Sequence, residues 1–463
     1  MSYIRLNKHY LHLPYVILGV LEFGLLALAA LVVSGLYQEG NPSEQIQSSL
    51  LYATVLSASS LSMGVYPALV KEGFANMLLR TLVSFFLLGS AAMMFLGWLD
   101  NAFYSDNRLL LLVVVFSALL MLPARWLFKK LVDTKKMRRR VLIFGCGNKS
   151  QELLDDIAKF ASTRIEVFGC IPCSETQPVV AADKVSEHPD DWLAYARQHN
   201  ITEIVIAPDE RRKSDGAQLP LEQFLDCKLA GVAISDGQVF CERELGRIDL
   251  SLLRPSWLLF SEGFDYSVQR YWLKRIFDVC ISVIFLLMLW PFMLLTALAI
   301  VLESGMPVLY SQERVGLNGK LFKIYKFRSM RQDAEKDGKA IWASKNDSRV
   351  TKVGAFIRNT RLDELPQIYN VLVGEMSFVG PRPERPQFVG ELKESVPFYD
   401  LRHKVVPGLM GWAQLNYPYG ASVEDAKHKL EYDLYYSKNH SFMMDMLIMI
   451  QTVEIVLLGK GVH

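Results

Sequence analysis

The sequence predicts a three-part molecule: a helical membrane bundle, an α/β domain built on a parallel sheet, and a third region whose own apolar helix enters the membrane and turns back. Three observations predict it. Four apolar stretches, Tyr15 to Leu36, Leu50 to Val70, Met77 to Leu99 and Leu109 to Phe128, are each long enough to cross a bilayer. After Val141 the pattern changes to short apolar runs alternating with helix-like stretches. A fifth apolar run, Ile276 to Val301, is interrupted near its middle by Pro291. At 463 residues the chain exceeds what one hydrophobic core usually holds, and the boundaries fall at residues 1–135, 136–253 and 254–463.

The first region sets the orientation. Arg5 and Lys8 precede the first span, and Lys71 and Arg80 border the turn after the second. The other two loops carry Glu39, Glu44, Asp100 and Asp106 with Arg108 as their one basic residue. Both ends of the bundle are then cytoplasmic. A basic cluster after the fourth span, Arg125, Lys129, Lys130, Lys135, Lys136 and Arg138 to Arg140, obeys the same rule and reads first as an orientation signal, second as a site for anionic headgroups. Hydrophobic residues make up 51% of the chain and charged residues 21%, with a net charge of +2 that points to no acidic partner; no nucleic acid is expected. Six sparse cysteines are no disulfide framework, and Cys170-x-x-Cys173, without a second pair, reads as ordinary buried thiols. The N-terminal apolar run lacks a clear cleavage site and reads as an uncleaved span.

In the second region Val141 to Phe144, Ile165 to Ile171 and Glu203 to Ile206 alternate with helices at 148–160 and around Trp192, a βαβ pattern that extends to Ile234. Gly145-Cys-Gly147 lies at the first strand-to-helix turn, where backbone amides can face a phosphate. The third glycine position is Ser150, and no acidic residue closes the second strand, so a tight turn is preferred to a cofactor site.

The fifth run, near residues 272–303, is long enough to span, yet Pro291 cannot donate the backbone bond a straight helix needs there. Crossing would export Lys320, Lys323, Lys326, Arg328 and Arg331, so a re-entrant helix broken at Trp290-Pro291 is preferred. Lys274, Arg275 and Asp278 at its start suit the interface, the cations toward lipid phosphate and Asp278 paired with them.

Downstream come Tyr310-Ser-Gln312-Glu-Arg314-Val-Gly316, Tyr325-Lys326-Phe327-Arg328-Ser329-Met330, Asp347-Ser-Arg349, Arg358-Asn-Thr-Arg361-Leu-Asp363-Glu364-Leu-Pro366-Gln367, Gly380-Pro381-Arg382-Pro383-Glu384 and Pro407-Gly408-Leu-Met-Gly411-Trp412. Cations and carboxylates interleaved with Gly and Pro turns suit a phosphate-handling site. Guanidinium forks match phosphate oxygens, and a carboxylate either coordinates magnesium or attacks phosphorus. Adjacent Asp363 and Glu364 can divide those two jobs; an isolated Asp-Glu would be only a favourable helix start.

These blocks, from about Tyr271 onward, resemble the bacterial sugar transferases that act as polyprenyl-phosphate hexose-1-phosphate transferases. The four spans and central sheet resemble the large members that initiate exopolysaccharide, capsule or O-antigen synthesis. The resemblance implies a Rossmann-like central domain and a mainly helical catalytic domain carrying the re-entrant helix. It implies transfer of a sugar-1-phosphate from a UDP-sugar to undecaprenyl phosphate through an aspartyl intermediate, with UMP released. Asp363 is then the nucleophile and Glu364 the Mg2+ ligand; Arg358 binds phosphate, Arg382 the nucleotide diphosphate, and Lys326 and Arg328 face substrate. Lys274, Arg275 and Asp278 match the basic motif at the start of the membrane helix, and Gln312, Arg314, Asp347 and Arg349 are substrate or salt-bridge residues. Pro291 matches the family's helix break, although Trp290 stands where small members often have serine. The implied setting is the bacterial inner membrane with soluble domains in the cytoplasm, and a homodimer is compatible with the large form.

Two other functions fit parts of the sequence. A membrane-bound nucleotide-sugar dehydratase or epimerase commonly needs Tyr-x-x-x-Lys, whereas Tyr195, the only tyrosine of the sheet domain, is followed four positions later by His199. A scaffold that senses nucleotide through Gly145-Cys-Gly147 leaves the C-terminal blocks unexplained. The apolar tail, Phe442 to Leu458, carries Asp445, Gln451 and Glu454 along one edge and suits either the interface or core packing.

Overall fold

The computed structural model describes residues 3–6, 9–37, 41–65, 74–99, 107–131, 138–161, 165–173, 178–209, 219–331, 349–418, 420 and 422–457. The chain divides into two compact units. One comprises Met1–Tyr66, Leu78–Leu119 and Glu262–His463, the other Pro67–Met77 and Leu120–Ser261. Lys8, Glu39, Lys71, Asp100, Asp106, Lys135, Lys136 and Asp347, invoked above, lie outside the described residues.

In the first unit a short hairpin, β1 (Tyr3–Leu6) and β2 (His9–His12), precedes α1 (Leu13–Tyr37) and α2 (Pro42–Ser62). A helical stretch follows, made of α3 (Phe74–Leu82), a π-helical turn Val83–Gly89 and α4 (Ser90–Leu99). Gly89 lets this stretch close on α2, because a Cβ there would lie 2.6 Å from the Leu56 side chain. Next comes α5 (Asn107–Leu131). Among the described residues four helices are long and apolar enough to cross a membrane: Val16–Leu36, Phe74–Trp98, Asn107–Lys130 and Val268–Ser304. This is a membrane protein. The expected span from Leu50 to Val70 is not among these four, and its residues 66–70 lie outside the described residues. Its helix, α2, starts earlier, and the polar turn Ser43-Glu-Gln-Ile-Gln-Ser-Ser49 lowers its apolar character.

The second unit holds a four-stranded parallel sheet in the order β4 (Ile165–Ile171), β3 (Arg139–Phe144), β5 (Glu203–Ile206), β6 (Ala233–Asp236). Alternation along β3 feeds two cores. Val141 and Ile143 pack with Leu153 and Leu154 of α6 (Asn148–Asp156) and Phe240 of α9 (Gly237–Leu245). Leu142 and Phe144 face Trp192 of α7 (Trp192–Gln198) and Phe224 of α8 (Leu221–Leu229). Phe144, Trp192 and Phe224 meet edge to face with centroids 4.8–5.5 Å apart, pairs worth about 1 kcal/mol each beyond their burial.

The turn at Gly145-Cys-Gly147 is filled by the protein itself. The Asp209 carboxylate accepts from the amides of Asn148 and Lys149 at 2.9 Å, and Lys149 Nζ donates to the Asp209 carbonyl. A Cβ at Gly147 would overlap that carboxylate at 2.1 Å. The first amides of α6 thus face an internal anion, as helix N-termini favour.

Beyond α10 (Pro255–Phe260), α11 runs from Val268 to Ser304 with Pro291 inside it. The first unit continues with the antiparallel hairpin of β7 (Leu309–Val315) and β8 (Leu321–Phe327), then α12 (Lys352–Asn359), α13 (Gln367–Val373) and β9 (Ser377–Val379). It ends with α14 (Pro386–Ser395), β10 (Gly408–Met410) parallel to β9, α15 (Trp412–Asn416), α16 (Val423–Asn439) and α17 (Phe442–Leu457). The tail is a packed helix. Met444 and Ile448 are buried, and α17 lies against α2, α15, β9 and β10. Asp445, read above as part of a polar edge, is 5% exposed and ion-paired to Lys274 at 2.6 Å.

Candidate active site

The acidic pair lies on a one-turn bridge between two helices. Thr351 caps α12 by accepting from the Gly354 amide, and the Glu303 carboxylate accepts from the amides of Lys352 and Val353. The helix ends at Thr360, and Arg361 turns the chain through φ 60°. Leu362–Glu364 then forms a 3-10 turn, and Pro366 leads into α13. This geometry aims both carboxylates inward, leaving Asp363 7% and Glu364 8% exposed.

Asn370 sets β8 against them. Its Oδ1 accepts from the Tyr325 amide at 3.2 Å, and its Nδ2 donates to the Lys323 carbonyl at 2.7 Å. Lys326, the next residue along β8, then reaches Glu364 Oε1 at 3.0 Å. Arg382 Nη2 reaches the same oxygen at 2.5 Å, and Arg361 Nη1 lies 3.9 Å from it. Three cations thus converge on Glu364 Oε1, while Oε2 accepts no hydrogen bond among the described residues. The Asp363 carboxylate also has no hydrogen-bond partner among them.

Electrostatics separate the two acids. Burial opposes ionisation of Glu364, but the charges of Arg382 and Lys326 outweigh it and hold the carboxyl well below its ordinary range. Burial raises Asp363; Lys326, Arg358 and Arg361 pull against that rise while Glu364 adds to it. Burial lowers Lys326, with Glu364 pulling the other way. The site is a fixed anion on three cations beside an unengaged, desolvated carboxylate.

The structure therefore brings Asp363, Glu364, Lys326, Arg382 and Arg358 together, and adds Arg361, which the sequence reading had quoted but given no role. Other expected substrate residues make internal contacts. Arg328 donates to the carbonyls of Ser304 and Gly305 and to Ser304 Oγ, tying down the end of α11. Arg314 donates to the Pro383 carbonyl and to Gln312 Oε1, and Gln312 in turn donates to Tyr310. Arg275 donates to the carbonyls of Val371 and Leu372 at the end of α13. Lys274 pairs with Asp445 and Tyr436. Asp278 accepts from Ser377 Oγ at 3.0 Å and the Phe378 amide at 3.2 Å, so its hydrogen bonds come from β9 and not from the cations of its own helix. The Arg349 carbonyl accepts from the Arg331 amide. Pro291 lies among exposed apolar residues, Leu287, Trp290, Phe292 and Leu294.

A family model described as bacterial sugar transferase matches residues 269–459, a span that contains every residue of this site. The exopolysaccharide production protein PSS of Rhizobium leguminosarum bv. phaseoli is 46% identical over 195 residues, which cover 41% of this chain and 98% of that protein. The chain belongs to the bacterial sugar transferase family. This bacterial sugar transferase is also similar to a UDP-N-acetylgalactosamine-undecaprenyl-phosphate N-acetylgalactosaminephosphotransferase of Aeromonas hydrophila, 43% identical over 242 residues covering 52% of this chain and 56% of the relative. A UDP-glucose:undecaprenyl-phosphate glucose-1-phosphate transferase of Xanthomonas campestris pv. campestris is 42% identical over 281 residues, 59% of this chain and 57% of the relative. The transferase thus spans little more than half the length of these two relatives.

Proposed function

We propose that the protein transfers a sugar-1-phosphate from a UDP-sugar to polyprenyl phosphate at the cytoplasmic face of the bacterial inner membrane, as an initiating step of surface-polysaccharide synthesis. The observation that carries this reading is the asymmetry of the dyad: Glu364 is neutralised by Lys326, Arg382 and Arg361, while Asp363 is buried beside it with no hydrogen-bond partner among the described residues. The relatives named for the same class of reaction support it.

In this reading an Asp363 oxygen attacks the phosphorus that bears the sugar, the bond to the UMP oxygen breaks, and UMP leaves with those electrons. An oxygen of polyprenyl phosphate then attacks the same phosphorus, the bond to Asp363 breaks, and the carboxylate is regenerated. Arg358, Arg361, Lys326 and Arg382 offset the charge of the diphosphate and of the transition state. Magnesium fits the residues present, because Glu364 Oε2 accepts no hydrogen bond among the described residues and this cation typically takes one or two carboxylates together with substrate phosphates. Bound there, it would offset negative charge on the donor diphosphate.

The topology proposed for α11 is re-entrant. Arg275 and Asp278 near its start are bonded to α13 and β9, while Met293, Ala297 and Ile300 near its end pack with Phe327, Ile357 and Leu365, and Ser304 holds Arg328. A straight helix would separate Asp278 from Ser304 by about 39 Å, more than the ~30 Å of a hydrocarbon core. Docking of both ends on one set of short elements, with Pro291 between them, supports a helix that returns to the face it entered. For the parallel sheet we propose a Rossmann-like scaffold that binds no dinucleotide, its phosphate position being occupied by Asp209.

The test is UMP release by purified protein in nanodiscs from a panel of UDP-sugars with magnesium. From at least one sugar, up to one UMP per protein is expected without acceptor, and continued release only when polyprenyl phosphate is added. No release from any common UDP-sugar would overturn the reading.

A further inference from the structure

Resting on the placement of Arg382 in the site just proposed, we infer that Arg402, held by Asp433, is a positioning residue that acts through the backbone of Arg382. The segment Pro381–Glu384 is pinned along its back. Four consecutive carbonyls each accept a hydrogen bond: Pro381 from the Gly408 amide at 2.9 Å, Arg382 from Arg402 Nη2 at 2.8 Å, Pro383 from Arg314 Nη1 at 3.0 Å and Glu384 from the Val315 amide at 3.0 Å. Two prolines with fixed φ flank Arg382. The side chain of Arg382 projects to Glu364 from a main chain with little freedom left.

Among the four donors Arg402 is the one buried charge committed to the reactive residue's own carbonyl. It is 8% exposed, and its guanidinium also donates to Tyr399 Oη at 2.6 Å and pairs with Asp433 Oδ2 at 2.8 Å. Asp433 is 2% exposed on α16 and so anchors Arg402 to a 17-residue helix. A buried cation on a carbonyl is a stiff tether, because breaking it strands a desolvated charge. The chain Asp433–Arg402–Arg382–Glu364 thus runs from the helical frame to the acidic pair. A planar fork with several donors is needed to hold carbonyl, hydroxyl and carboxylate together, which one ammonium cannot do.

The test is a double-mutant cycle between Arg402 and Arg382, read as kcat/KM for UMP release, with thermal unfolding followed for every variant. Arg402→Ala is expected to lower kcat/KM about 10²-fold, the scale of a 1 Å misplacement. In an Arg382→Ala background the same change should cost less than about twofold, since nothing remains to be positioned. Where Arg402→Ala fails to fold, Arg402→Lys, which keeps the charge opposite Asp433, takes its place with the same expectation. Losses that multiply across the two sites, or an Arg402→Lys variant as active as wild type, overturn the inference. An active wild type with an unimpaired Arg382→Ala variant overturns the functional reading of Arg382, and the inference with it.

Discussion

Glu364 and Asp363 are neighbours in sequence, yet they meet opposite electrostatic conditions. Lys326 matters to both, since its charge lowers each carboxyl against the burial that raises it. In the proposed mechanism attack on phosphorus needs Asp363 ionised, so activity is expected to rise with pH through the pKa of Asp363. Removing a cation that lowers that pKa moves the acid limb to higher pH. Lys326→Met is therefore expected to shift the acid limb of kcat/KM upward and to cut the plateau by at least about 10²-fold; an unmoved limb would show that Lys326 does not set this balance. The dyad, Lys326 and Arg382 were legible in the sequence because cations and acids clustered among Gly and Pro turns. Arg314 and Arg328 carry the same signal, but a motif does not distinguish a guanidinium aimed at phosphate from one aimed at a carbonyl. Arg361 was overlooked because its part depends on a left-handed turn that sets the direction of the next three residues.

Helix α11 is apolar enough to enter a membrane and is bonded at both ends to the elements around the candidate site. Asp278 is 3% exposed and accepts two hydrogen bonds from β9. Asp278→Ala is expected to cost about 3 kcal/mol, the upper range for bonds to a charged group, seen as a lower unfolding midpoint in detergent with the helical signal kept. An unchanged midpoint would mean that β9 does not need this anchor. The re-entrant topology makes a separate claim. Single cysteines replacing exposed Gln269 and Met306, at the two ends of the helix, should react with an impermeant thiol reagent from the same face of sealed inverted vesicles. Labelling from opposite faces would establish a crossing helix. Length, apolar character and the interrupting proline were readable from sequence. The partners of Lys274, Arg275 and Asp278 were not, because they come from elements about 95 to 170 residues away.

At the scale of the whole molecule the sequence announced a membrane part and a parallel sheet, and the described residues contain both; its C-terminal blocks fall within the residues that the family model matches. What it left open was the use of Gly145-Cys-Gly147, since Asp209, which fills that turn, lies at the end of a different strand. Gly147→Ala should lower the unfolding midpoint of the sheet unit, because a Cβ overlaps the Asp209 carboxylate, and Asp209→Ala in the same chain should relieve part of the loss; no relief would place the strain elsewhere. The architecture also answers a problem of meeting, for one proposed substrate is soluble and the other stays in the bilayer. In the proposed mechanism a dyad at the membrane surface would hold the phosphosugar covalently and let the two arrive in turn. The direct measurement is to mix the protein with a UDP-sugar labelled in the phosphate next to the sugar, quench before acceptor is added, and locate the label by mass spectrometry. The expected result is a phosphosugar adduct on Asp363 that disappears when polyprenyl phosphate is supplied and never forms in Asp363→Asn. Labelled lipid product from Asp363→Asn at the wild-type rate would contradict it.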